Sequence, residues 1–477
     1  MSETKTNIGE SIGKYFSDLG TAVADGDGFV KGSLGIMGLG YFAHKQVIKG
    51  ILMTCAEALF ILMMIYYGVP YLSQFGTLGT VQFESVFDPL TMTNKTNDYD
   101  NSFLILLNSI ITIFLIICFI LLYVSNIKSC YRLQLDDENG NHIRTFSEEL
   151  KDVYNGKFHI TLLTLPTVGV ILMNIIPIMV LIAVAFTNWD QAHMPPAALF
   201  DWVGIANFKA VFTNSVSSSF GYSFGKILSW TLIWAVVATF TCFIGGILLA
   251  SLINSNGVYF KKMWRTFFVI TIAVPQFVTL ILVRNFFANQ GIVNTIFDHA
   301  GIIEWLKNRH MITTNYVPFL TDKNWAKFMI IMINIWVGIP YQMLISTGIL
   351  LNIPQGQVES ARIDGANRFQ IFRHIIMPYI MVVEGPALIT DFVRNINNFN
   401  VIYLLTQDVY VTQNQLMANA NAKEVDLLIT WLFRLTNEYY NYKMASVIGI
   451  IVFVICAAFT LIAFSRVMAS GKEEDLR

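Results

Sequence analysis

An all-α integral membrane protein, a polytopic helical bundle, is the fold class that three observations on this sequence predict. Of its 477 residues 55% are apolar and only 13% are charged, against roughly 25% charged in ordinary soluble domains. Eight stretches approach the ~20 mostly apolar residues that a spanning helix needs, starting near Val47, Phe103, Ile160, Gly225, Met263, Phe328, Ile375 and Tyr442. Lysine and arginine gather in alternate loops, as short cytoplasmic loops require.

Taken in order, the tail of residues 1–46 is polar and glycine-rich with Lys5, Lys14, Lys31 and Lys45, so it is expected inside. The first apolar run starts too late for a cleaved signal peptide and is expected to stay in the mature chain. Within the tail, the glycines of 31–45 alternate with Leu34, Ile36, Met37, Leu39, Tyr41 and Phe42. That pattern suits either an amphipathic helix on the inner leaflet or a tethered loop. Lys128, Arg132, Arg144, Lys151 and Lys157 place the second inner loop, Lys261, Lys262 and Arg265 the third, and Arg362, Arg368 and Arg373 the fourth. Arg466 and Lys472 put the C-terminal tail, 471–477, inside as well. Outside fall the acidic stretch from Glu84 to Asp100, the loop from about Asn188 to Gly221, and the segment from about Gln407 to Tyr440. The loop with Lys307 and Arg309 fits least well. The seventh apolar stretch is interrupted by Glu384, Asp391 and Arg394.

Composition also narrows function. A net charge of −1 with no basic stripe gives nucleic acid no purchase. Cys55, Cys118, Cys130, Cys242 and Cys456 are far apart and mostly in apolar runs, and the seven histidines are scattered, so neither a disulfide framework nor a metal site is expected. No cofactor is implied. The chain has no G-x-x-x-x-G-K-[ST] phosphate loop, so it is expected to lack an ATP site of its own.

The decisive stretch is the inner loop at 355–378. It reads Glu359-Ser360-Ala361, three residues, Gly365, nine residues, then Ile375-Ile376-Met377-Pro378. Pro354 suits the first turn of a short helix, and Asp364-Gly365 supplies its stop. A second short helix follows, with Phe369, Phe372, Ile375 and Ile376 at helical spacing. The pattern resembles the EAA motif of binding-protein-dependent ABC importers, written E-A-A, three residues, G, nine residues, I, one residue, L-P. Ser360 and Met377 are the two departures. The resemblance implies a coupling loop that docks in a cleft of a separate ATPase subunit through Glu359, Ser360, Ala361, Gly365 and Pro378.

Pro275, Gly338, Pro340 and Pro386 interrupt three successive apolar segments. Such breakers mark either a water-filled path or ordinary packed kinks. The run Asp391-Phe392-Val393-Arg394-Asn395-Ile396-Asn397-Asn398-Phe399-Asn400 packs amides and charges that must face protein or water. Asp391 and Arg394, three apart, can pair, and the asparagine amides offer both donors and acceptors to neutral sugar hydroxyls.

From the fourth helix onward, through Ala273-Val274-Pro275, Asn334-Ile335-Trp336-Val337-Gly338-Ile339-Pro340-Tyr341 and Asn397-Asn398-Phe399, the chain is similar to the larger permease of maltose/maltodextrin-type carbohydrate importers. That likeness implies a type I ABC importer permease core of six helices over 159–470, preceded by two additional helices over 47–158. It implies sugar contacts at Gln276, Asn334, Gly338, Tyr341, Asn395 and Asn398. Arg394 stands where the family can have an aromatic residue, and joins the candidate set. Implied partners are a smaller second permease, two cytoplasmic ATPase subunits, an extracellular sugar-binding protein and an oligosaccharide, in a bacterial cell membrane with both termini cytoplasmic.

The expected function is therefore a transport permease, not an enzyme, for maltodextrin or maltose. Another oligosaccharide or a non-sugar solute would use the same machinery. An ion-coupled secondary transporter would instead rely on Glu57, Glu384 or Asp391, and a membrane enzyme on the Glu384 and Asp391 pair seven residues apart.

Overall fold

The structure, a computed structural model, describes residues 19–89, 92–213, 219–255, 257–407, 412 and 414–474. Lys5, Lys14 and residues 475–477 of the expected tails lie outside the described residues. The chain divides into two compact units, Met1–Gly204 and Ile205–Arg477. Among the described residues seven helices are long and apolar enough to cross a membrane, and one further pair, bent by 91°, counts as an eighth if taken as one span. The fifth expected helix is that bent pair.

The first unit contains α1 (Val47–Gln74), α2 (Ser102–Glu138) and α3 (Phe158–Val184). In the acidic segment between α1 and α2, strand β1 (Ser85–Asp88) pairs antiparallel with β2 (Thr93–Thr96), a ribbon that the sequence reading did not foresee. A π-helical turn widens α1 at Met64–Gly68 and α3 at Ile171–Ile175, and another occupies Phe372–Ile376 in the second unit. Each is followed two residues later by a proline: Pro70, Pro177 and Pro378. A proline ring collides with the carbonyl four residues back and supplies no N–H to it. Those carbonyls belong to Tyr66, Met173 and His374, each inside its widened turn, so the turn accommodates the ring without ending the helix.

The segment before α1 is neither a flat surface helix nor a loose loop. Two short helices, Gly28–Gly32 and Leu39–Ala43, form a hairpin. Its tip is fastened at two points: the Met37 amide donates to Glu57 Oε2 at 2.9 Å, and Tyr123 Oη donates to the Leu34 carbonyl at 2.6 Å. Glu57 lies ten residues along α1 from Val47, a rise of about 15 Å, so the hairpin dips well along the span. Gly38 and Gly50 make the approach possible, since a Cβ on Gly38 would come within 2.1 Å of Thr54 Oγ1. Met37 and Tyr41 are buried, whereas Phe29, Leu34, Ile36 and Phe42 turn outward. At the base, His44 sits between Asp27 (3.6 Å) and Asp137 (3.2 Å). Glu57, a candidate proton relay in isolation, is thus the acceptor that holds the hairpin tip.

The second unit is organised around α4 (Ser219–Asn254) and α7 (Lys323–Asn352). In lipid, helices gain little from apolar burial alone and pack through small residues. A Cβ on Gly246 would lie 2.4 Å from Gln342 Cβ, one on Gly245 2.5 Å from Ile339 Cδ1, and one on Gly338 2.5 Å from Cys242 Sγ. Around this contact stand α5 (Lys261–Ala273), α6 (Gln276–Phe286), α8 (Gln355–Ile363), α9 (Met377–Ile396), α10 (Phe399–Leu405), α11 (Leu428–Asn437) and α12 (Tyr442–Glu474). Trp230, Trp234, Leu280, Ile330, Ile333, Val401 and Leu405 join α4, α6, α7 and α10 in one buried cluster. Its indoles are not orphaned: Trp230 donates to the Val425 carbonyl at 3.2 Å and Trp234 to that of Asn395 at 3.1 Å.

The hairpin latch makes a prediction. Glu57→Leu leaves the Met37 amide without its acceptor, at a cost of about 1–3 kcal/mol, and is expected to speed proteolysis near residues 28–43 in detergent. Glu57→Gln keeps an acceptor oxygen and should resist cleavage as the parent does. Equal cleavage of both variants and the parent would show that the bond does not hold the hairpin.

Candidate functional site

The site begins where the fifth helix breaks. Val274 is extended (φ −79°, ψ 129°), the conformation favoured before a proline, and Pro275 opens α6 from a new direction. The last carbonyls of α5 and the first N–H groups of α6 therefore lack helical partners. Thr271, Ile272, Ala273 and Val274 line a cavity of about 600 Å³ at this corner, and water-facing space is what makes such a break tolerable at membrane depth. Pro340 and Pro386 behave differently, being carried inside continuous helices α7 and α9. Of the expected breakers, only Pro275 separates two helices.

All seven expected contact residues, Gln276, Asn334, Gly338, Tyr341, Arg394, Asn395 and Asn398, line this one cavity. They come from the start of α6, the middle of α7, the end of α9 and, for Asn398, the cap of α10. Asn334, Gly338 and Tyr341 recur at four- and three-residue spacing along one stripe of α7. Several are also committed to the wall. The Asn334 amide donates to Cys242 Sγ at 3.6 Å, while the Asn395 amide donates to Thr239 Oγ1 at 2.9 Å. Asn398 caps α10 by accepting the Val401 amide at 3.3 Å.

Arg394 and Asp391 do pair, at 2.9 Å. Gln342 donates to the other Asp391 oxygen at 2.8 Å, tying α7 to α9. The Asp391 side chain is 12% exposed and that of Arg394 61%, so the acid is sunk in the wall and the guanidinium faces the opening. Its centre stands 5.7 Å from the Tyr341 ring. Glu384, one face along α9, is buried with Ser346 donating to it at 3.5 Å. The two acids thus have separate partners. Among the described residues no group of three or more His, Cys, Asp and Glu side chains is placed to hold a metal.

The sequence reading passed over several lining residues. Thr239 and Cys242 from α4 face the cavity, as do Thr279, Trp336, Gln342 and Phe399. Gln342 lies eight residues after Asn334 on the same helix, a spacing that could have marked it; nothing local distinguishes Thr239 in an apolar stretch.

At the other end of α9 lies the loop of 355–378. Helix α8 ends in a Schellman motif, with Gly365 at φ +85°, its amide bonded to the Arg362 carbonyl (3.1 Å) and that of Ala366 to Ala361 (2.9 Å). Nothing lies within 4 Å of a Cβ at Gly365, so the requirement for glycine is conformational. The next helix opens with a capping box between Asn367 and Gln370, an N-x-x-Q signal missed in the sequence reading. Glu359 and Ser360 are exposed, Ala361 is half-buried and Pro378 is exposed at the start of α9. Ile363 and Phe369, 86% and 68% exposed, give the knob an uncovered apolar edge.

Comparison with known proteins adds four findings. Residues 242–470 match the family described as binding-protein-dependent transport system inner membrane component. The maltodextrin transport system permease protein MalC of Streptococcus pneumoniae is 32% identical over 92% of this chain and 95% of its own length. The galactooligosaccharides transport system permease protein GanP of Bacillus subtilis is 30% identical over 92% of this chain and 97% of its own. In fold, a chain of a bacterial ABC transporter involved in alginate import superposes with a TM-score of 0.51 at 22% identity, covering 67% of this chain and 98% of that one.

The close contact of Gly338 with Cys242 in the cavity wall can be tested. Gly338→Ala would press a methyl on Cys242 Sγ, an overpacking that typically costs about 1–3 kcal/mol, and is expected to lower the melting temperature of the purified chain in detergent. Cys242→Ala on the same chain should restore part of that loss. Additive effects of the two substitutions would place Gly338 away from Cys242.

Proposed function

We propose, from the premise that this chain belongs to the family of binding-protein-dependent transport system inner membrane components, that it is the larger permease subunit of an ABC importer for an oligosaccharide, maltodextrin or maltose first. The observation that carries this reading is the single cavity beside the Pro275 break, which gathers amide, hydroxyl and aromatic groups from several helices. Such a mixture, apolar surface with a few convergent polar groups, suits a small neutral ligand. The substrate named for MalC and the full-length similarity to it support maltodextrin. GanP, almost as similar, makes a galactosyl oligosaccharide the second reading.

In this account the chain performs no covalent chemistry and has no ATPase site; it provides the path. The transport core is 159–470 and the two helices of 47–158 are additional to it. Gln276, Asn334, Tyr341, Arg394, Asn395 and Asn398 hold the sugar by hydrogen bonds and ring contact, with Gly338 leaving room for it. The knob of 355–378 seats in one of two cytoplasmic ATPase subunits, Glu359 and Ser360 meeting its surface and Gly365 fixing the angle between the two short helices. A smaller second permease completes the path, and an extracellular binding protein delivers the sugar. Both termini are cytoplasmic. The ion-coupled reading is not favoured, because Asp391 is engaged by Arg394 and Gln342, Glu384 by the Ser346 hydroxyl and Glu57 by the Met37 amide.

Two outcomes check this. Cells deleted for the gene should lose uptake of labelled maltotriose, and Asn334→Ala should raise its KM roughly tenfold, the effect of about one lost hydrogen bond to a buried donor or acceptor. Loss of galactosyl oligosaccharide uptake alone would select the second reading; unchanged uptake of both would remove the sugar assignment. Gly365→Val imposes a β-branched residue on a left-handed position. It should cut uptake severalfold at unchanged membrane abundance, and full activity would count against the docking role of the loop.

A further inference from the structure

Beyond the central cavity, the second unit holds a polar pocket of about 270 Å³ lined by Tyr403, Thr406, Lys423, Asp426, Arg434 and Glu438 among others. It lies along the second half of helix α10, beyond the end of α9 that is remote from the coupling loop. We propose that this pocket is an outer subsite which holds further hexose units of a neutral oligosaccharide whose leading end occupies the central cavity. The inference rests on the transport reading above and adds a chain-length preference to it.

Three observations point there. Phe399, Tyr403 and Thr406 fall at i, i+4 and i+7, one stripe of α10; Phe399 lines the central cavity, and Tyr403 and Thr406 line the outer pocket. One helix face thus runs from the first space to the second. Along it the Phe399 and Tyr403 rings stack at 4.8 Å with 17° between their planes, and both rest on Phe433, at 4.7 and 5.1 Å. All three rings are half-buried rather than sealed in the core. A stacked, fixed aromatic surface of this kind offers apolar faces on which sugar rings lie flat at little entropic cost.

The pocket wall selects the chemistry. Its charged groups are two cations, Lys423 and Arg434, and two anions, Asp426 and Glu438, so no net charge favours an ionic ligand. Arg434 is bound to Asp426 in a buried pair, to which the Thr430 hydroxyl (3.1 Å) and the Lys423 amide (2.8 Å) also donate. Lys423 Nζ donates to the Thr406 and Gln407 carbonyls, at 3.5 and 3.1 Å, and so fixes the end of α10 against this wall. With that buried pair and Lys423 engaged within the wall, the exposed Glu438 carboxylate and the Tyr403 hydroxyl are the groups placed to meet sugar hydroxyls, each of which gives one hydrogen bond and accepts others. Size favours the same occupant. A cavity of about 600 Å³ is of single-ligand size, and an oligosaccharide of seven units overruns it. The stripe of α10 then leads the excess into the outer pocket.

The test compares two lengths of one sugar. Uptake of labelled maltose and of maltoheptaose is measured in cells with the intact transporter and with Tyr403→Ala, Tyr403→Phe or Glu438→Ala. Tyr403→Ala should raise the KM for maltoheptaose about tenfold and Glu438→Ala severalfold, each changing that for maltose less than twofold; Tyr403→Phe, which keeps the stack, should stay near the parent. Glu438 is exposed on the pocket rim, so its variant decides the matter should Tyr403→Ala reach the membrane poorly. Equal effects on both sugars, or no effect of Glu438→Ala on either, overturn the subsite while leaving the transport reading intact. An intact transporter that carries neither sugar overturns the transport reading itself, and the subsite with it.

Discussion

Backbone polar groups within a bilayer must find partners, and the break between α5 and α6 is where this chain meets that constraint with open space. An unbroken helix satisfies its own N–H and C=O groups; the 91° bend at Val274 and Pro275 cannot. The freed groups face a cavity, which in turn lets polar side chains of α7 and α9 point inward at the same depth. The close α4–α7 contact at Gly245, Gly246 and Gly338 sets Cys242 against Gly338 in the cavity wall, and the Gln342–Asp391 bond joins α7 to α9 in the same wall. Remove the bend, and the asparagines of α9 would have no wet surface to face.

The same helix, α9, runs between the loop of 355–378 and the cavity of the second unit. Its first turn continues the widened segment Phe372–Ile376, which follows the short helix Arg368–Ile371 of the knob. Its last turn carries Arg394 and Asn395 into the cavity, and α10 follows with Phe399. The second half of the knob and one side of the cavity wall thus belong to a single span, Arg368–Leu405. Pro386 lies inside that span and is tolerated there, since the helix continues to Ile396.

Much of this was legible because it is local. The stop at Asp364-Gly365, the prolines at the heads of helices and the apolar lengths of the spans are each decided within a few residues, and the structure bears out the bundle. The seven cavity residues could be named in advance through the family resemblance, and the structure gathers them in one space. Pro275, Pro340 and Pro386, in contrast, look alike in sequence. Only tertiary packing decides that the first bends the chain while the other two are absorbed. The hairpin before α1 was equally hidden, because Met37 and Glu57 are twenty residues apart and an isolated glutamate in an apolar run gives no hint of its donor. Thr239 and Cys242 belong to the cavity solely through the α4–α7 crossing.

The most direct test of the central claim, a water-filled sugar site at the α5–α6 break, is thiol labelling of Gln276→Cys in a chain whose five native cysteines are replaced by alanine, assembled in its membrane. Gln276 is exposed at the corner and lines the cavity. The account predicts ready reaction with a charged, membrane-impermeant thiol reagent and severalfold slower reaction when maltotriose and the binding protein are present. A thiol at this position that stays unreactive, or one that reacts at the same rate with and without sugar, would contradict it.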